Sequence, residues 1–128
     1  MKRILIIDDD EIFEFITREL IAEMYPDSEI KSFLSSSEGL NYIMSSIATG
    51  DNLPDILLLD IRMPEMDGFE LLDELAKKHN ASDLEPMKIF MLTSSLDAKD
   101  YRMSTENALV SGFISKPLEA EKLHSLMA

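Results

Sequence analysis

The stretch Ile56-Leu57-Leu58-Leu59-Asp60-Ile61-Arg62-Met63-Pro64 sets the reading of this chain. Four consecutive apolar residues without alternation are what a central parallel strand carries when helices cover both its faces. The run stops at an aspartate, and the turn-forming Met63-Pro64 and Asp67-Gly68 follow. A second apolar run, Ile4-Leu5-Ile6-Ile7, ends in Asp8-Asp9-Asp10, and a third short run ends in Phe113-Ile114-Ser115-Lys116-Pro117. As neighbouring parallel strands, the three would bring acids and one ammonium to a single sheet edge. That grouping costs folding energy, because like charges disfavour one another. It suits the handling of a metal ion and a phosphoryl group.

Outward from these runs, strands alternate with segments of helical period. Residues 2–8 read as the first strand. The spacing then predicts a helix over 11–25 with Ile12, Phe13, Ile16, Leu20 and Met24 as its apolar stripe, and acids and Arg18 on the other face. A strand over 29–34 follows, then a helix from the Ser35-Ser36-Ser37 caps to about Ala48, ended by Gly50. After the strand at 55–60, Asp67 caps a helix with Glu70 as its capping-box partner, and Lys77-Lys78 lie late, as the helix dipole favours. Residues 80–86 read as a polar loop, 87–93 as a strand, 98–110 as a weaker helix and 112–115 as the fifth strand. Pro117 opens a last helix carried by Leu118, Leu123, Leu126 and Met127. Five β/α units predict an α/β fold: a doubly wound (βα)5, flavodoxin-like sandwich around a parallel five-stranded sheet of order 2-1-3-4-5. In such sheets the crevice lies beyond the carboxyl ends of strands 1 and 3, where Asp8-Asp9 and Asp60 fall.

The 128 residues are expected to form one domain, 1–128, with a real core. A formal net charge of −13 argues against direct binding to DNA or RNA. The chain has no cysteine, which removes disulfides, thiolate metal sites and a cysteine nucleophile. Met1-Lys2-Arg3-Ile4 is too short an apolar start for a secretory signal, and no run is long enough to span a membrane, so the expected location is cytoplasmic. The nine methionines are scattered and read as core filler.

Clustered carboxylates relieve their repulsion by binding a hard divalent cation, and all-oxygen donors favour magnesium over zinc. A lysine beside the ion suits a phosphate as a point charge, and the Thr93 hydroxyl at the end of strand four can hydrogen-bond a phosphoryl oxygen. The set fits phosphoryl transfer onto a carboxylate. Taken singly, each residue has a plainer role. Asp10 is a helix cap, Lys116 a solvated lysine, Thr93 a strand former and Phe113 a core residue. It is their order at four strand ends that points to chemistry.

Across its length the chain resembles the receiver domain of two-component response regulators. The resemblance rests on Ile7-Asp8-Asp9-Asp10, on Leu59-Asp60-Ile61-Arg62-Met63-Pro64 with Asp67-Gly68, on Leu92-Thr93-Ser94 and on Phe113-Ile114-Ser115-Lys116-Pro117. It implies that Asp60 is the phosphoacceptor, charged by a sensor histidine kinase or a histidine phosphotransfer protein. It implies magnesium held by Asp9 directly, Asp8 mainly through water, Asp60, and the backbone carbonyl of Arg62. Lys116, before a cis bond to Pro117, would pair with the phosphoryl group, and Thr93 and Phe113 would be the coupled switch residues. Arg62 and Ser95 occupy positions that tune the lifetime of the phosphoryl group in this family. Ser94 stands where alanine is frequent, and Phe113 where tyrosine is, so the switch would work by packing. The implied output is a changed helix 4–strand 5–helix 5 face, including Tyr101 and Arg102, read by a downstream protein or by a second copy in a phosphorylation-linked homodimer. Such a protein is a signalling switch rather than an enzyme, and catalyses only its own phosphorylation and dephosphorylation.

Two other readings use the same residues. Asp8-x-Asp10 imitates the nucleophile motif of haloacid-dehalogenase phosphatases, although that reading leaves Asp60 and the Met63-Pro64 turn unexplained. A pure interaction module would keep the fold without the chemistry.

Overall fold

The computed structural model describes residues 2–50, 53–94 and 97–128, so Ser95 lies outside the described residues. Five strands, β1 (Arg3–Ile7), β2 (Glu29–Phe33), β3 (Ile56–Asp60), β4 (Lys88–Thr93) and β5 (Val110–Ser115), form one parallel sheet of order β2-β1-β3-β4-β5. The helices are α1 (Glu11–Met24), α2 (Ser36–Thr49), α3 (Gly68–Lys78), α4 (Ala81–Leu84), α5 (Ala98–Glu106) and α6 (Ala120–Met127). The expected doubly wound α/β fold and strand order are found.

Each strand of the central pair feeds both layers of the core. Leu5, Ile7, Leu57 and Leu59 pack with Ile43 of α2 and with Leu71, Leu72 and Leu75 of α3. Ile4, Ile6, Ile56 and Leu58 face the other way, towards Ile21 of α1 and Leu123 and Leu126 of α6. Burying one such side chain contributes about 1.5–3 kcal/mol, which offsets the cost of the acids at the strand ends. The β1–β3 register pairs Ile4 with Ile56 and Ile7 with Leu59, so Asp8 and Asp60 leave adjacent strands at the same edge.

Several boundaries differ from the sequence reading. The polar loop at 80–86 contains the one-turn helix α4, closed by a reciprocal Asn80–Asp83 capping box, so the expected helices 4 and 5 are α5 and α6. The helix expected over 98–110 stops at Glu106, and β5 starts at Val110 rather than Gly112, with a register irregularity at Ile89/Phe90. Pro117 precedes α6 by three residues. The largest difference is the face of α1. Ile12 is 71% exposed and Ile16 42%, whereas Glu14, Thr17 and Ile21 are buried. Glu14 tolerates burial because Arg18 Nε and Ser32 Oγ each donate to its Oε1 at 2.8 Å. The ends of α2 and α3 follow expectation: Gly50 closes α2 in the left-handed region at φ 70°, and Asp67 and Glu70 form a capping box.

Candidate phosphoryl-transfer site

The carboxyl edge of the sheet gathers the acids. A carboxylate oxygen from each of Asp8, Asp9 and Asp60 lies within 4.8 Å of the others. Asp8 and Asp60 are buried and Asp9 is exposed. Asp10 turns away as the N-cap of α1, accepting from the Ile12 and Phe13 amides. The Asp10 amide in turn donates to Asp8 Oδ1 at 3.0 Å, which fixes that carboxylate. At the end of β3 the Arg62 amide donates to Asp60 Oδ1 at 3.3 Å.

Lys116 supplies the counter-charge. Its Nζ lies 2.8 Å from Asp8 Oδ2 and 3.5 Å from Asp60 Oδ1, and 4.8 Å from the centre of the Phe13 ring. The Lys116 amide donates to the Thr93 carbonyl at 2.8 Å, so the ends of β4 and β5 are locked together. Thr93 is itself buried, and the Lys116–Pro117 bond is cis, as is Glu85–Pro86. Burial pushes the Asp60 carboxyl up to about 8; the neighbouring Asp8 charge adds to the rise, and Lys116 opposes it.

A hard divalent cation fits this donor set. The donors are all oxygens, and one lysine serves two buried acids. The buried Asp8 Oδ2 makes no hydrogen bond among the described residues, although it faces the Lys116 ammonium. Asp8, Asp9, Asp60 and the Arg62 carbonyl are the groups available to hold such an ion.

Further contacts are not visible in sequence patterns. Arg62 Nη2 bonds Asp100 Oδ2 and lies 3.6 Å from Asp97 Oδ2, which ties the β3–α3 turn to the start of α5. Glu65 accepts from Ser35 and Ser37 at the start of α2. Gly68 permits α3 to abut β3, since a Cβ there would sit 2.5 Å from the Asp60 carbonyl oxygen. Phe113 is half-buried and meets Tyr101 edge-on, with ring centres 5.3 Å apart.

The family model for the response regulator receiver domain matches residues 4–128. The chain belongs to the response regulator receiver family. This receiver domain is similar to a two-component response regulator from Cytophaga hutchinsonii, with a TM-score of 0.86 and 32% identity over 98% of this chain and 92% of that one. It is 27% identical to the chemotaxis protein CheY of Listeria monocytogenes, over 96% of the receiver domain and 92% of that protein. It is also 27% identical to hybrid signal transduction histidine kinase L of Dictyostelium discoideum, of which it spans 7%. Among these relatives the receiver domain makes up nearly the whole of one protein and a small part of another.

Proposed function

We propose that this receiver domain accepts a phosphoryl group from a phosphohistidine donor onto Asp60, in a magnesium-dependent reaction, and reports it through the face of α5, β5 and α6. One observation carries the reading: Asp8, Asp9 and Asp60 converge within 4.8 Å, with Lys116 poised between the two buried acids.

An Asp60 oxygen attacks phosphorus, the P–N bond breaks, and its electron pair returns to the donor imidazole. Asp60 must be ionised to attack, and a magnesium ion held by Asp8, Asp9, Asp60 and the Arg62 carbonyl would favour that form and neutralise the transferring group. Lys116 shifts from Asp8 towards the new phosphoryl oxygens, and the Thr93 hydroxyl donates to one of them. Water later cleaves the acyl phosphate, so the protein processes only its own phosphoryl group. Asp8 is a poor nucleophile for a phosphatase, because it is fully buried with its oxygens directed at the Asp10 amide and Lys116.

The donor would be a sensor kinase or a phosphotransfer protein, in keeping with the hybrid histidine kinase among the relatives. Helix α1 starts at the rim of the site and exposes Ile12, Phe15 and Ile16. On the output side, Tyr101 is 50% exposed on α5 and packs on Phe113. An open groove between β5 and α6, lined by Phe113, Ser115, Pro117, Glu121 and Lys122, extends the same face. A protein target or a second copy would read it when Thr93 and Phe113 move. The net charge of −13 favours a protein reader over nucleic acid. Among the described residues no helix is long and apolar enough to cross a membrane.

The test is intact mass after incubation with acetyl phosphate, with and without magnesium. One added phosphoryl group that requires magnesium, and is absent in Asp60→Asn and in Asp9→Ala, is the expected result. Full labelling of Asp60→Asn under the same conditions overturns the assignment.

A further inference from the structure

Arg62 is held at both ends. Its amide donates to Asp60 Oδ1, and its guanidinium bonds Asp100, which lies 38 positions away in sequence. Asp97, the N-cap of α5, accepts from the Asp100 amide at 2.8 Å and adds a second carboxylate 3.6 Å from the same guanidinium. Exposed arginine pairs ordinarily contribute little. Here the Asp100 side chain is only 2% exposed, so it depends on Arg62 for its counter-charge.

A phosphorylated Asp60 would carry roughly −1.5 to −2 charges two residues from Arg62. Among the described residues, Lys116 alone already serves both Asp8 and Asp60. A guanidinium also matches phosphate oxygens bidentately, whereas an ammonium is a point charge.

We propose that Arg62 exchanges Asp100 for the phosphoryl group, so that Asp100 holds a second phosphoryl-positioning cation in reserve and the start of α5 senses whether Asp60 is occupied. This rests on the reading of Asp60 as acceptor. Once Arg62 leaves, Asp100 is a buried carboxylate without its partner, and the first turn of α5 opens to hydrate it. Tyr101 is the next residue on that helix, so the movement reaches its contact with Phe113 directly. By linkage, whatever weakens the Arg62–Asp100 pair strengthens binding at Asp60.

The probe is beryllofluoride with magnesium, a mimic of the acyl phosphate. Its affinity is measured calorimetrically in the wild type, Arg62→Gln, Asp100→Asn and the double variant. Asp100→Asn keeps the Asp97 cap and is expected to tighten binding about five- to tenfold. Arg62→Gln is expected to weaken it, and to abolish the gain from Asp100→Asn. An equal gain in both backgrounds, or none in either, overturns the exchange. A wild type that binds no beryllofluoride overturns the acceptor assignment itself, which is a different result. In the wild type alone, the Nε–H signal of Arg62 should shift on adding beryllofluoride; an unmoved signal also overturns the exchange.

Discussion

Lys116 Nζ stands closer to Asp8, at 2.8 Å, than to Asp60, at 3.5 Å. On the proposed reading, its resting partner is therefore the acid that does not take the phosphoryl group. Removing the lysine leaves the buried Asp8 carboxylate without its ion-pair partner among the described residues. We expect Lys116→Met to destabilise the metal-free protein by about 3 kcal/mol near neutral pH. Magnesium should restore part of the loss, read by urea unfolding with and without the ion.

The raised Asp60 carboxyl gives stability a definite pH slope. The folded protein holds that proton up to about 8, whereas the unfolded chain releases it near 3.8. Stability from this group is therefore fully present below the lower value and is lost as pH rises through the upper one. In chelator, unfolding free energy should fall across that window, and Asp60→Asn should flatten the slope. Added magnesium should stabilise the wild type more above pH 8 than near pH 6. An unchanged slope in Asp60→Asn would place the titration elsewhere.

Gly68 and Gly50 should respond differently to alanine. At Gly68 the new Cβ would lie 2.5 Å from the Asp60 carbonyl oxygen and 2.8 Å from Met91 Cε. Main chain cannot yield cheaply, so Gly68→Ala should cost about 1–3 kcal/mol and slow labelling of Asp60. Gly50 has φ 70° and open space around it. Gly50→Ala should cost about 1 kcal/mol through its backbone alone and leave labelling untouched. Thermal melts paired with acetyl phosphate labelling separate the two.

Glu14 is a structural acid rather than a reactive one. The Arg18 hydrogen bond holds its carboxyl below the usual range, ahead of the opposing effect of burial, and Ser32 adds to the lowering. Its contribution is present above the ordinary glutamate value of 4.5 and is lost as pH falls through the lowered one. Glu14→Gln should destabilise by about 1–2 kcal/mol, as chemical denaturation at neutral pH would show, and should leave the labelling of Asp60 proposed above unchanged.

The sheet and the acid cluster were legible because their signals are local. Unbroken apolar runs mark doubly covered strands, and each ends in the residue that matters. Asp10, Asp67 and Gly50 were readable for the same reason, since caps obey short-range rules. The face of α1 is not legible in the sequence, because Ile12 and Ile16 keep helical spacing while Glu14 is buried through Ser32, a residue of β2. Nothing in the α1 sequence announces that partner. The Arg62–Asp100 pair was invisible likewise: Asp100 reads as an ordinary acid in a first helical turn. The α4 turn was hidden by its brevity, four polar-flanked residues held by their own capping box.

The pairing of Ile4 with Ile56 carries one more consequence. Parallel neighbours so distant in sequence close a long loop before they gain anything, which makes their meeting a late and costly event in folding. Asp8 and Asp60 converge only when that pairing exists, and Lys116 joins only after β5 docks on β4. No fragment or half-folded chain can assemble the three groups. On the proposed reading, competence for phosphorylation is thus itself a report of complete folding.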